Sequence, residues 1–446
     1  MNALTQYIDL YESHRDTINA HSVEALNVRR ESALQTLRGI GRLPERGDEG
    51  YAKVSLNDIF APDFGINITR VPFAAAEADA KGCDIPNVGS LRVMVVNDTV
   101  QLSEATERLL PEGVEVMSLA QAAVKYPEEF AHSAAPESHP VVALNTMLVQ
   151  DGVYIKVKRG VHCERPVQIL STFNASQPMM GVRRIKIVVE DGAEATVLAC
   201  DHPRLTNVDY LSCRVVELSL GRDAVLNFYD LEEATPQCNR VSILGAEQAA
   251  GSNVNIDAVS LNGAVSRNEF YVRHLGDYCN THIGGMVIAG GRQVVDNATY
   301  VTHDHEHCTS SQLFKYALFD EAQGAFEGLV TVEEQARFTD AKQSNRNLLV
   351  SPDARMHAMP QLVIYCDEVK ASHGSATGQL DEDALFYMQS RGIGLGEARM
   401  LLINAFMAEV LDCINHEPLR DRLRHLVEKR LRGCASSTCG GCHIKH

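Results

Sequence analysis

Two segments of this sequence combine cysteine and histidine at spacings that suit metal binding. Residues 433–446 carry Cys434, Cys439, Cys442 and His443 as C-x4-C-x2-C-H. Thiolates and an imidazole form a soft ligand set of the kind that holds zinc or an iron–sulfur species. Because the segment also contains glycine and serine, we expect a flexible tail that becomes ordered when it binds its ligand. The sequence therefore predicts a transient metal- or sulfur-handling site at 433–446.

The second segment, 302–308, contains His303, His305 and His307 at alternate positions. In an extended strand, alternate side chains project from the same face. Three imidazoles on one face would form a zinc or iron site. The alternative is a polar strand face that points to solvent, where histidine is unremarkable.

A further candidate, His373, lies where the sequence pattern changes from strand to helix. Residues 361–366 alternate and are rich in β-branched and aromatic types, which predicts a strand, and a short extended piece carrying His373 follows. Asp381 then fits a helix N-cap, and Gly392 lies where that helix would stop. A neutral imidazole is a borderline ligand that binds iron and releases it again. Taken alone, a histidine beside glycine is more often a turn or core residue than a ligand.

Composition limits the classes of partner and compartment. The chain has 446 residues, with 41 basic and 58 acidic side chains and a net charge of −17, which argues against a nucleic-acid partner. No apolar run approaches the roughly 18 residues of a membrane span, and the first residues lack the form of a signal peptide. The 12 cysteines are expected to stay mostly reduced. We therefore expect a cytoplasmic protein without a membrane partner.

The order of local patterns predicts a mainly β protein with helical ends. Residues 3–40 carry two apolar stripes at helical spacing, and the region 1–140 as a whole is helical or mixed. From 141 to 380 short strands follow one another, and turn-forming residues recur at 190–195 and 221–224, about thirty residues apart. Periodicity alone leaves a β-sandwich and a parallel β-helix open.

After residue 381 the pattern is helical again. Two apolar stripes at helical spacing are separated by Pro418, and two such helices would cap the end of the β region. The first stripe comprises Ala398, Leu401, Leu402, Ala405, Phe406, Val410 and Ile414.

Several motifs between residues 300 and 412 carry a family resemblance. One runs from Pro360 to Gly374 as Pro-Gln-Leu-x-Ile-x-x-Asp-x-Val-Lys-x-Ser-His-Gly, and Phe-Tyr-x-x-Ser-Arg-Gly-Ile follows at 386–393. Upstream lie Ser-Ser-Gln-Leu-x-Lys from Ser310 and Thr-Asp-Ala-x-Gln-x-x-x-Asn-Leu-Leu from Thr339. Together these motifs resemble the SufB/SufD family of scaffolds for iron–sulfur cluster assembly.

The resemblance implies a fold, partners and a site. The fold would be a right-handed parallel β-helix, and the C-terminal helices would dock the SufC ATPase. His373 would take part in cluster assembly at the contact with SufB. Ala354 stands where SufB proteins carry a sulfur-accepting cysteine, and Ser372-His373-Gly374 replaces a glutamate-rich segment, so the chain resembles the SufD branch. Ala371 departs from the family, which often has cysteine there, so any role of that thiol is absent.

We therefore predict a non-catalytic, SufD-like scaffold with a SufB-like paralogue and a SufC-like ATPase as partners. The ATPase has to be a separate chain, because this sequence has no P-loop motif. The predicted divisions are 1–140, a β-helix at 141–380, a docking region at 381–432 and the tail at 433–446. The cargo would be a transient iron–sulfur cluster or iron, while flavin binding and a homodimer in isolation stay open. The alternatives are a β-helix polysaccharide lyase or esterase, which the acidic charge and lack of tryptophan disfavour, and an independent metal carrier acting through the tail.

Overall fold

The computed structural model describes residues 2–73, 89–202 and 208–432 of the chain. Within these residues, strands make up the larger part of the regular structure and gather into two sheets. Helices lie before, among and after the first strands and again after the last strand. The expectation of a mainly β fold with helical ends is confirmed.

The strands and helices are numbered in chain order. The first sheet contains, from edge to edge, β2 (Thr99–Leu102), β1 (Leu91–Val96), β5 (Val167–Thr172), β7 (Glu194–Asp201), β9 (Val225–Glu233), β11 (Asn253–Asn262), β13 (Asn280–Ala289), β15 (Thr309–Leu318), β17 (Thr339–Leu349) and β19 (Val369–Gly378). The second sheet contains β3 (Val114–Ser118), β4 (Val153–Val157), β6 (Met179–Val189), β8 (Tyr210–Leu220), β10 (Cys238–Gln248), β12 (Val265–His274), β14 (Val294–His303), β16 (Gln323–Val332) and β18 (Arg355–Ile364). The helices are α1 (Ala3–Ala20), α2 (Glu24–Asn27), α3 (Arg30–Ile40), α4 (Leu56–Phe60), α5 (Glu104–Leu109), α6 (Leu119–Lys125), α7 (Pro140–Leu148), α8 (Glu382–Ser390), α9 (Leu395–Leu411) and α10 (Glu417–Leu431).

The sheets wind into a solenoid. From β4 onward each strand pairs in parallel with the strand two positions further along the chain, as β13 does with β11 and β15. Partners lie between 26 residues apart, as for Arg240 and Ser266, and 32 residues apart, as for Gln323 and Arg355. One strand from each sheet therefore forms one coil, and about 8 coils stack. The parallel β-helix is confirmed over the β-sandwich, whose sheets are antiparallel, and the unequal coils explain the imperfect sequence repeat.

The interior between the two sheets is filled by one face of every strand. Successive side chains of a strand point to opposite faces, so that Ile283 and Val287 on β13 pack inward with Phe314 on β15. The same apolar cluster takes Phe270 and Phe326 from the second sheet. Because buried apolar area contributes about 25 cal/mol per Å², this continuous interior is the main source of stability for the stacked coils.

Helices cover the outer faces of both sheets. On the second sheet, α1, α3 and α7 pack through an apolar cluster that joins Leu37 to Val215. On the first sheet, α9 and α10 pack through a cluster that joins Ile403 to Met286. The expectation that the C-terminal helices cap the end of the solenoid is therefore wrong, because they lie along its side. Among the described residues no strand pairs with the outer edges of β18 and β19.

Part of the N-terminal region joins the solenoid. Strand β1 pairs in parallel with β5, and β3 pairs antiparallel with β4, so residues from the region 1–140 extend both sheets at the end opposite to β19. The division of the chain at residues 140 and 380 stays a prediction. The helices at both ends of the chain pack against the outer faces of the two sheets.

A buried ion network ties the N-terminal segment to the second sheet. Arg267 contacts Glu269 Oε1 at 3.0 Å and Asp296 Oδ1 at 2.7 Å, and all three side chains are buried. Tyr51 donates a hydrogen bond to Glu269 at 2.8 Å, which fastens the segment before α4 to β12. Burial alone would raise the pKa of Glu269, but the Arg267 guanidinium outweighs burial and holds that pKa well below its ordinary value.

Removing the cation from this network should destabilise the fold. In Arg267→Met, Glu269 and Asp296 stay buried without their counter-charge, and breaking a buried pair in this way typically costs about 3–5 kcal/mol. Urea unfolding followed by circular dichroism should show a clearly lower midpoint. Arg292→Met is the control, because Arg292 is largely exposed and its ion pair with Glu321 lies in solvent. Equal midpoints for the two variants would contradict the role given to the network.

Candidate functional site

A column of inward-facing residues leads through the solenoid to His373. The register of the first sheet joins Ile283 to Gln312, Gln312 to Gln343, and Gln343 to His373 on successive coils. Towards β1 this column is apolar, since Ile283 is preceded by Ile256. From Gln312 onward the column is polar, so the interior changes character towards the last coil. Its final member, His373, lies on β19 and is exposed.

Hydrogen bonds hold the polar part of the column across the interior. Thr299 on β14 donates to Gln312 Oε1 at 2.6 Å, and Gln343 Nε2 donates to the same oxygen at 3.1 Å. All three side chains are buried. Within the described ranges, Nε2 of Gln312 and Oε1 of Gln343 have no hydrogen-bond partner. Buried amide groups with unmet hydrogen-bonding capacity are costly, so they mark a place that suits water or a polar ligand.

The last coil leaves this column open at one end. On the facing sheet, Gly328 lies opposite Gln343, and a Cβ at Gly328 would lie only 2.0 Å from Gln343 Nε2. A side chain at this position would therefore displace the glutamine. Pro360 follows Gly328 in the register of the second sheet. Pro360 on β18 and His373 on β19 therefore stand on the two strands that border the opening.

The imidazole of His373 is available to a ligand from outside the chain. The ring is exposed, and no residue in the described part of the chain hydrogen bonds to it. The strand beneath it is nevertheless fixed, because Ser375 donates to Asn345 at 3.1 Å and Asn347 donates to Thr377 at 3.1 Å. An unengaged imidazole on a fixed strand suits a metal-ligand role.

The sequence signals around His373 are confirmed in the local structure. The two extended pieces form β18 and β19, the last strand of each sheet. Asp381 accepts hydrogen bonds from the backbone N–H groups of Asp383 and Ala384 at 2.9 and 3.1 Å, and so caps α8. Gly392, with φ of 88°, adopts the left-handed conformation that commonly ends a helix. The change from strand to helix thus places His373 at the boundary between the solenoid and its C-terminal helices.

The expected histidine face at 303–307 is not formed. Strand β14 ends at His303, whose buried ring lies 2.9 Å from Ser310 Oγ. Burial lowers the pKa of His303 to about 4. His305 lies in the turn that follows, 3.6 Å from Asp277 Oδ1, and His307 lies further along the same turn. The extended conformation assumed for this segment is wrong, because the chain turns after His303 and the three imidazoles diverge.

His307 has a structural place at a corner of the coil. Its φ of 56° is left-handed, and the same corner of the neighbouring coils holds Tyr278 and Phe338, each with φ of 60°. The His307 ring stacks on Tyr278 and Phe338 with centroid distances of 4.8 and 4.7 Å. Such stacking stabilises the corner and gives His307 a role that needs no metal.

Within the ranges that the structure describes, no group of three or more histidine, cysteine, aspartate or glutamate side chains is placed to hold a metal ion. The tail ligands expected from the sequence, Cys434, Cys439, Cys442 and His443, lie outside the described residues. The candidate site that the structure supports is therefore the opening at His373, with the polar column behind it.

Sequence reasoning missed this polar column. Gln312 and Gln343 occur in the motifs that carry the family resemblance, but those motifs do not show that the two side chains lie next to each other in the folded chain. The sequence signal that could have revealed the column is its spacing of one coil. Gln343 follows Gln312 by 31 residues, and His373 follows Gln343 by 30 residues. Since coil length varies along the chain, this spacing becomes informative only once the coils are known.

A parallel β-solenoid with side-packed helices does not by itself define a function, and two family models identify the class of protein. Residues 171–406 match the family model of the SufBD core domain of the SUF system for FeS cluster assembly. Residues 1–169 match the model of the SufBD protein N-terminal region. The chain belongs to the SufBD family and is a scaffold protein of iron–sulfur cluster assembly.

Relatives from several bacteria agree with this assignment. An iron-sulfur cluster assembly SufBD family protein of Synechocystis sp. is 28% identical over 420 residues, which cover 91% of this chain and 92% of that protein. The iron-sulfur cluster assembly protein SufD of Escherichia coli is 30% identical over 302 residues, covering 66% of this chain and 70% of the relative. The protein of the same name from Bacillus subtilis is 25% identical over 297 residues, covering 66% and 68%.

Family membership favours the scaffold over the polysaccharide lyase or esterase that the sequence left open. The relatives are named for cluster assembly, which gives no support to a polysaccharide lyase or esterase. Membership of this family implies involvement with iron–sulfur clusters or iron. In the described parts of the chain, no helix has the length and apolar character required to cross a membrane.

Proposed function

We propose that this chain is the SufD-type subunit of a cytoplasmic complex with a SufB-like paralogue and a SufC-like ATPase, and that clusters assemble where its open end meets the paralogue. The observation that carries the proposal is the position of His373, exposed at the end of a polar, inward-facing column. Two relatives named SufD support the choice of subunit type.

The open end offers a surface for another solenoid. Strands β18 and β19 are edge strands, and exposed strand edges favour pairing with a further chain. Large apolar side chains lie beside this edge, since Ile364 and Tyr365 are both exposed. A paralogue with the same coil geometry would match this end in width and strand spacing, and a second copy of this chain is the alternative occupant.

At this interface the chain acts by positioning. His373 supplies one imidazole, and the SufB-like partner supplies the other ligands of the iron or cluster. A single borderline ligand holds iron weakly, which suits a cargo that has to leave. The unmet amide groups of Gln312 and Gln343 lie behind the opening and can order water around the cargo. The chain thus contributes a fixed ligand without catalysis of its own.

The C-terminal helices are the proposed ATPase-docking surface. Helices α9 and α10 lie on the outer face of the first sheet, and Phe386 and Tyr387 on α8 and Leu395 and Leu401 on α9 are exposed. Exposed apolar side chains in this number on neighbouring helices are typical of an interface. Because the sequence has no P-loop motif, the ATPase of the complex has to be a separate chain.

Co-purification tests the proposal as a whole. Tagged full-length chain would be expressed with its SufB-like and SufC-like partners from the same cell, purified without oxygen, and analysed for subunits, iron and sulfide. We expect a stable complex of the three chains that carries iron and acid-labile sulfide. Recovery of this chain alone or only as a homodimer, in the presence of both partners, would contradict the proposal.

The tail at 433–446 is proposed to handle metal or sulfur transiently, on the strength of its C-x4-C-x2-C-H sequence. Truncation after Arg432 should spare folding and complex formation, because Leu431, which packs against the helical cluster, is retained. It should lower the iron content or slow cluster transfer to an apo-ferredoxin. The control replaces Ser436 and Ser437 with alanine and keeps every candidate ligand. Unchanged iron content and transfer rate after truncation would contradict a role for the tail.

A further inference from the structure

Three aromatic rings form a stacked ladder on an outer corner of the solenoid. Tyr278, His307 and Phe338 take the same corner position on three successive coils, and the His307 ring lies between the other two. The rings are nearly parallel, with interplanar angles of 2° between Tyr278 and His307 and 17° between His307 and Phe338. Tyr278 is nevertheless 63% exposed, and Phe338 is 52% exposed. These residues, the ring ladder, therefore present aromatic surface to solvent.

The backbone at this corner does not favour aromatic residues. All residues of the ring ladder have a left-handed φ, between 56° and 60°, which is uncommon for bulky side chains. On the two preceding coils the same position holds Gly251 and Asp223, whose residue types adopt this conformation more readily. The coil can therefore turn here without a ring. Residues held in a sparsely populated conformation cluster at binding sites, so the exposed rings indicate a binding surface.

The ring ladder ends at Tyr278, whose other face has no stacked ring in the described part of the chain. The position next to it, on the preceding coil, is Gly251, which has no side chain to stack on the ring. The Asp223 side chain, one coil further, bends towards this position, because its Oδ1 lies 2.1 Å from the point where a Cβ of Gly251 would stand. Asp223 is exposed and forms no ion pair or side-chain hydrogen bond with the described residues. An unpaired carboxylate and an open aromatic face thus border the same gap.

Further carboxylates accompany the ring ladder on its own coils. Asp277 directly precedes Tyr278 in the chain, and Glu306 directly precedes His307. The backbone N–H of Tyr278 donates to the carbonyl oxygen of Glu306 at 3.1 Å, which joins the two coils at this corner. Both acidic residues line a groove of about 430 Å³. The corner therefore combines aromatic surface with negative charge.

The basic side chains that line this groove already have partners. Arg273 Nη2 lies 3.8 Å from Asp304 Oδ2, and His305 Nδ1 lies 3.6 Å from Asp277 Oδ1. The carboxylate of Glu306, in contrast, forms no ion pair with a residue that the structure describes. A cation from outside the chain therefore meets an unpaired carboxylate in the groove as well as at the end of the ring ladder.

We propose that this corner binds an arginine-bearing segment of a partner protein, with one guanidinium stacked on the open face of Tyr278 and paired with Asp223. Gly251 leaves the stacking position accessible, since no side chain covers it. A guanidinium is planar, stacks on aromatic faces, and matches a carboxylate with two parallel N–H donors. A lysine ammonium is a compact, strongly hydrated charge that does not stack in this way. The geometry therefore selects arginine over lysine.

Substitutions at the corner can test the contact without disturbing the fold. Tyr278→Gly removes the stacking face, and glycine adopts a left-handed φ at no steric cost, so the thermal midpoint should stay near that of the native chain. Tyr278→Phe retains the ring face and should retain binding. Asp223→Asn removes the charge but keeps a residue type that tolerates the left-handed conformation. Asp320→Asn is its matched control, because Asp320 is another exposed aspartate with a left-handed φ, of 52°, outside the ring ladder.

The probe is a fluorescein-labelled peptide of alternating arginine and serine, titrated with the full-length chain at physiological ionic strength and followed by fluorescence anisotropy. Because a chain of net charge −17 attracts any cation, the matched probe carries lysine in place of every arginine. We expect the arginine peptide to bind about 5- to 10-fold more tightly than the lysine peptide, within the range of a cation–π contact. Tyr278→Gly should remove this preference. Asp223→Asn should weaken arginine binding about 3-fold, as for an exposed ion pair, and Asp320→Asn should leave it unchanged.

Three results would overturn the proposal. The first is equal affinity for the two peptides, or an arginine preference that survives in Tyr278→Gly, because attraction by net charge then accounts for binding. The second is equal arginine binding by Asp223→Asn and Asp320→Asn, which would remove the paired carboxylate. The third is a native dimer that becomes monomeric in Tyr278→Gly without peptide binding, which would assign the corner to a second copy of this chain. Because these measurements need neither partner subunit nor cluster, their failure is distinct from a failure of the proposed assembly function.

Discussion

His373→Ala is expected to reduce the iron and sulfide of the anaerobically purified complex at least about tenfold, since even supporting residues of metal sites typically contribute 10- to 100-fold in metal affinity. The fold should survive, because His373 is exposed and has no hydrogen-bond partner among the described residues. Substitutions at such surface positions usually change stability by less than about 0.5 kcal/mol. The thermal midpoint and the amounts of the partner subunits should therefore match those of the parent complex.

The control for this experiment is His162→Ala. His162 is also an exposed histidine, paired with Glu194, but it lies at the opposite end of the solenoid. If removing any exposed histidine lowered the iron and sulfide content, both variants would show the decrease. An assembly role of His373 predicts the decrease in His373→Ala alone. A full load of iron and sulfide in His373→Ala would remove the assembly role and leave His373 as an ordinary exposed residue.

The local structure around His373 was largely predictable because its signals are local. Asp381 as a cap and Gly392 as a helix end are read from residue types alone, and both are found in the structure. The choice between sandwich and solenoid was not predictable from periodicity, because both folds alternate side chains along a strand. What distinguishes them is the pairing of strands one coil apart, such as Gln312 with Gln343, and local alternation does not encode that pairing.

The histidine segment shows how a local pattern misleads. The alternation of histidines at 303–307 is typical of a strand, but in the structure the chain turns at a corner of the coil after His303. Earlier coils show the corner clearly, because Gly192, Asp223 and Gly251 hold the left-handed positions that these residue types favour. In later coils Tyr278 and His307 take the same position, so the turn signal is lost from the sequence while the geometry persists.

The first C-terminal stripe shows a smaller error of the same kind. Ala398 and Val410 are buried as expected, but Leu401 is exposed, and Ile403 and Met407 face the first sheet instead. Helix α9 is apolar on most of its circumference, so the sequence does not show which side faces the sheet. Apolar residues of α9 that do not pack against the sheet, such as Leu401, therefore remain on the surface.

Replacing both Phe386 and Tyr387 with aspartate is expected to abolish capture of the SufC-like ATPase. The two side chains are 73% and 59% exposed on α8, so the fold loses little packing when they are changed. Aromatic residues central to an interface typically contribute about 2 kcal/mol or more each, which is roughly 30-fold in affinity per residue. Charged replacements add the cost of burying unpaired carboxylates.

Helix α9, which carries the exposed Leu395 and Leu401 of this proposed surface, is held in place by the fold. Lys315 on β15, which is almost fully buried, contacts Glu409 on α9 at 2.5 Å and donates to the carbonyl oxygen of Phe406 at 2.7 Å. Arg346 on β17 contacts the same glutamate at 3.0 Å. Helix α9 is thereby held against two successive coils. A preformed surface loses less entropy on binding, so its apolar side chains contribute more fully to affinity.

Pull-down with tagged ATPase, together with calorimetric titration, measures the effect. Val124→Asp is the matched control, because Val124 is a similarly exposed apolar residue on α6, away from the C-terminal helices. Circular dichroism should show all variants folded, and the SufB-like partner should still bind the double variant, because Phe386 and Tyr387 belong to α8 and not to the edge strands β18 and β19. If the ATPase binds the double variant as tightly as it binds Val124→Asp, docking does not use α8. Loss of binding in both variants would point instead to a general effect of added negative charge on a chain that already carries −17.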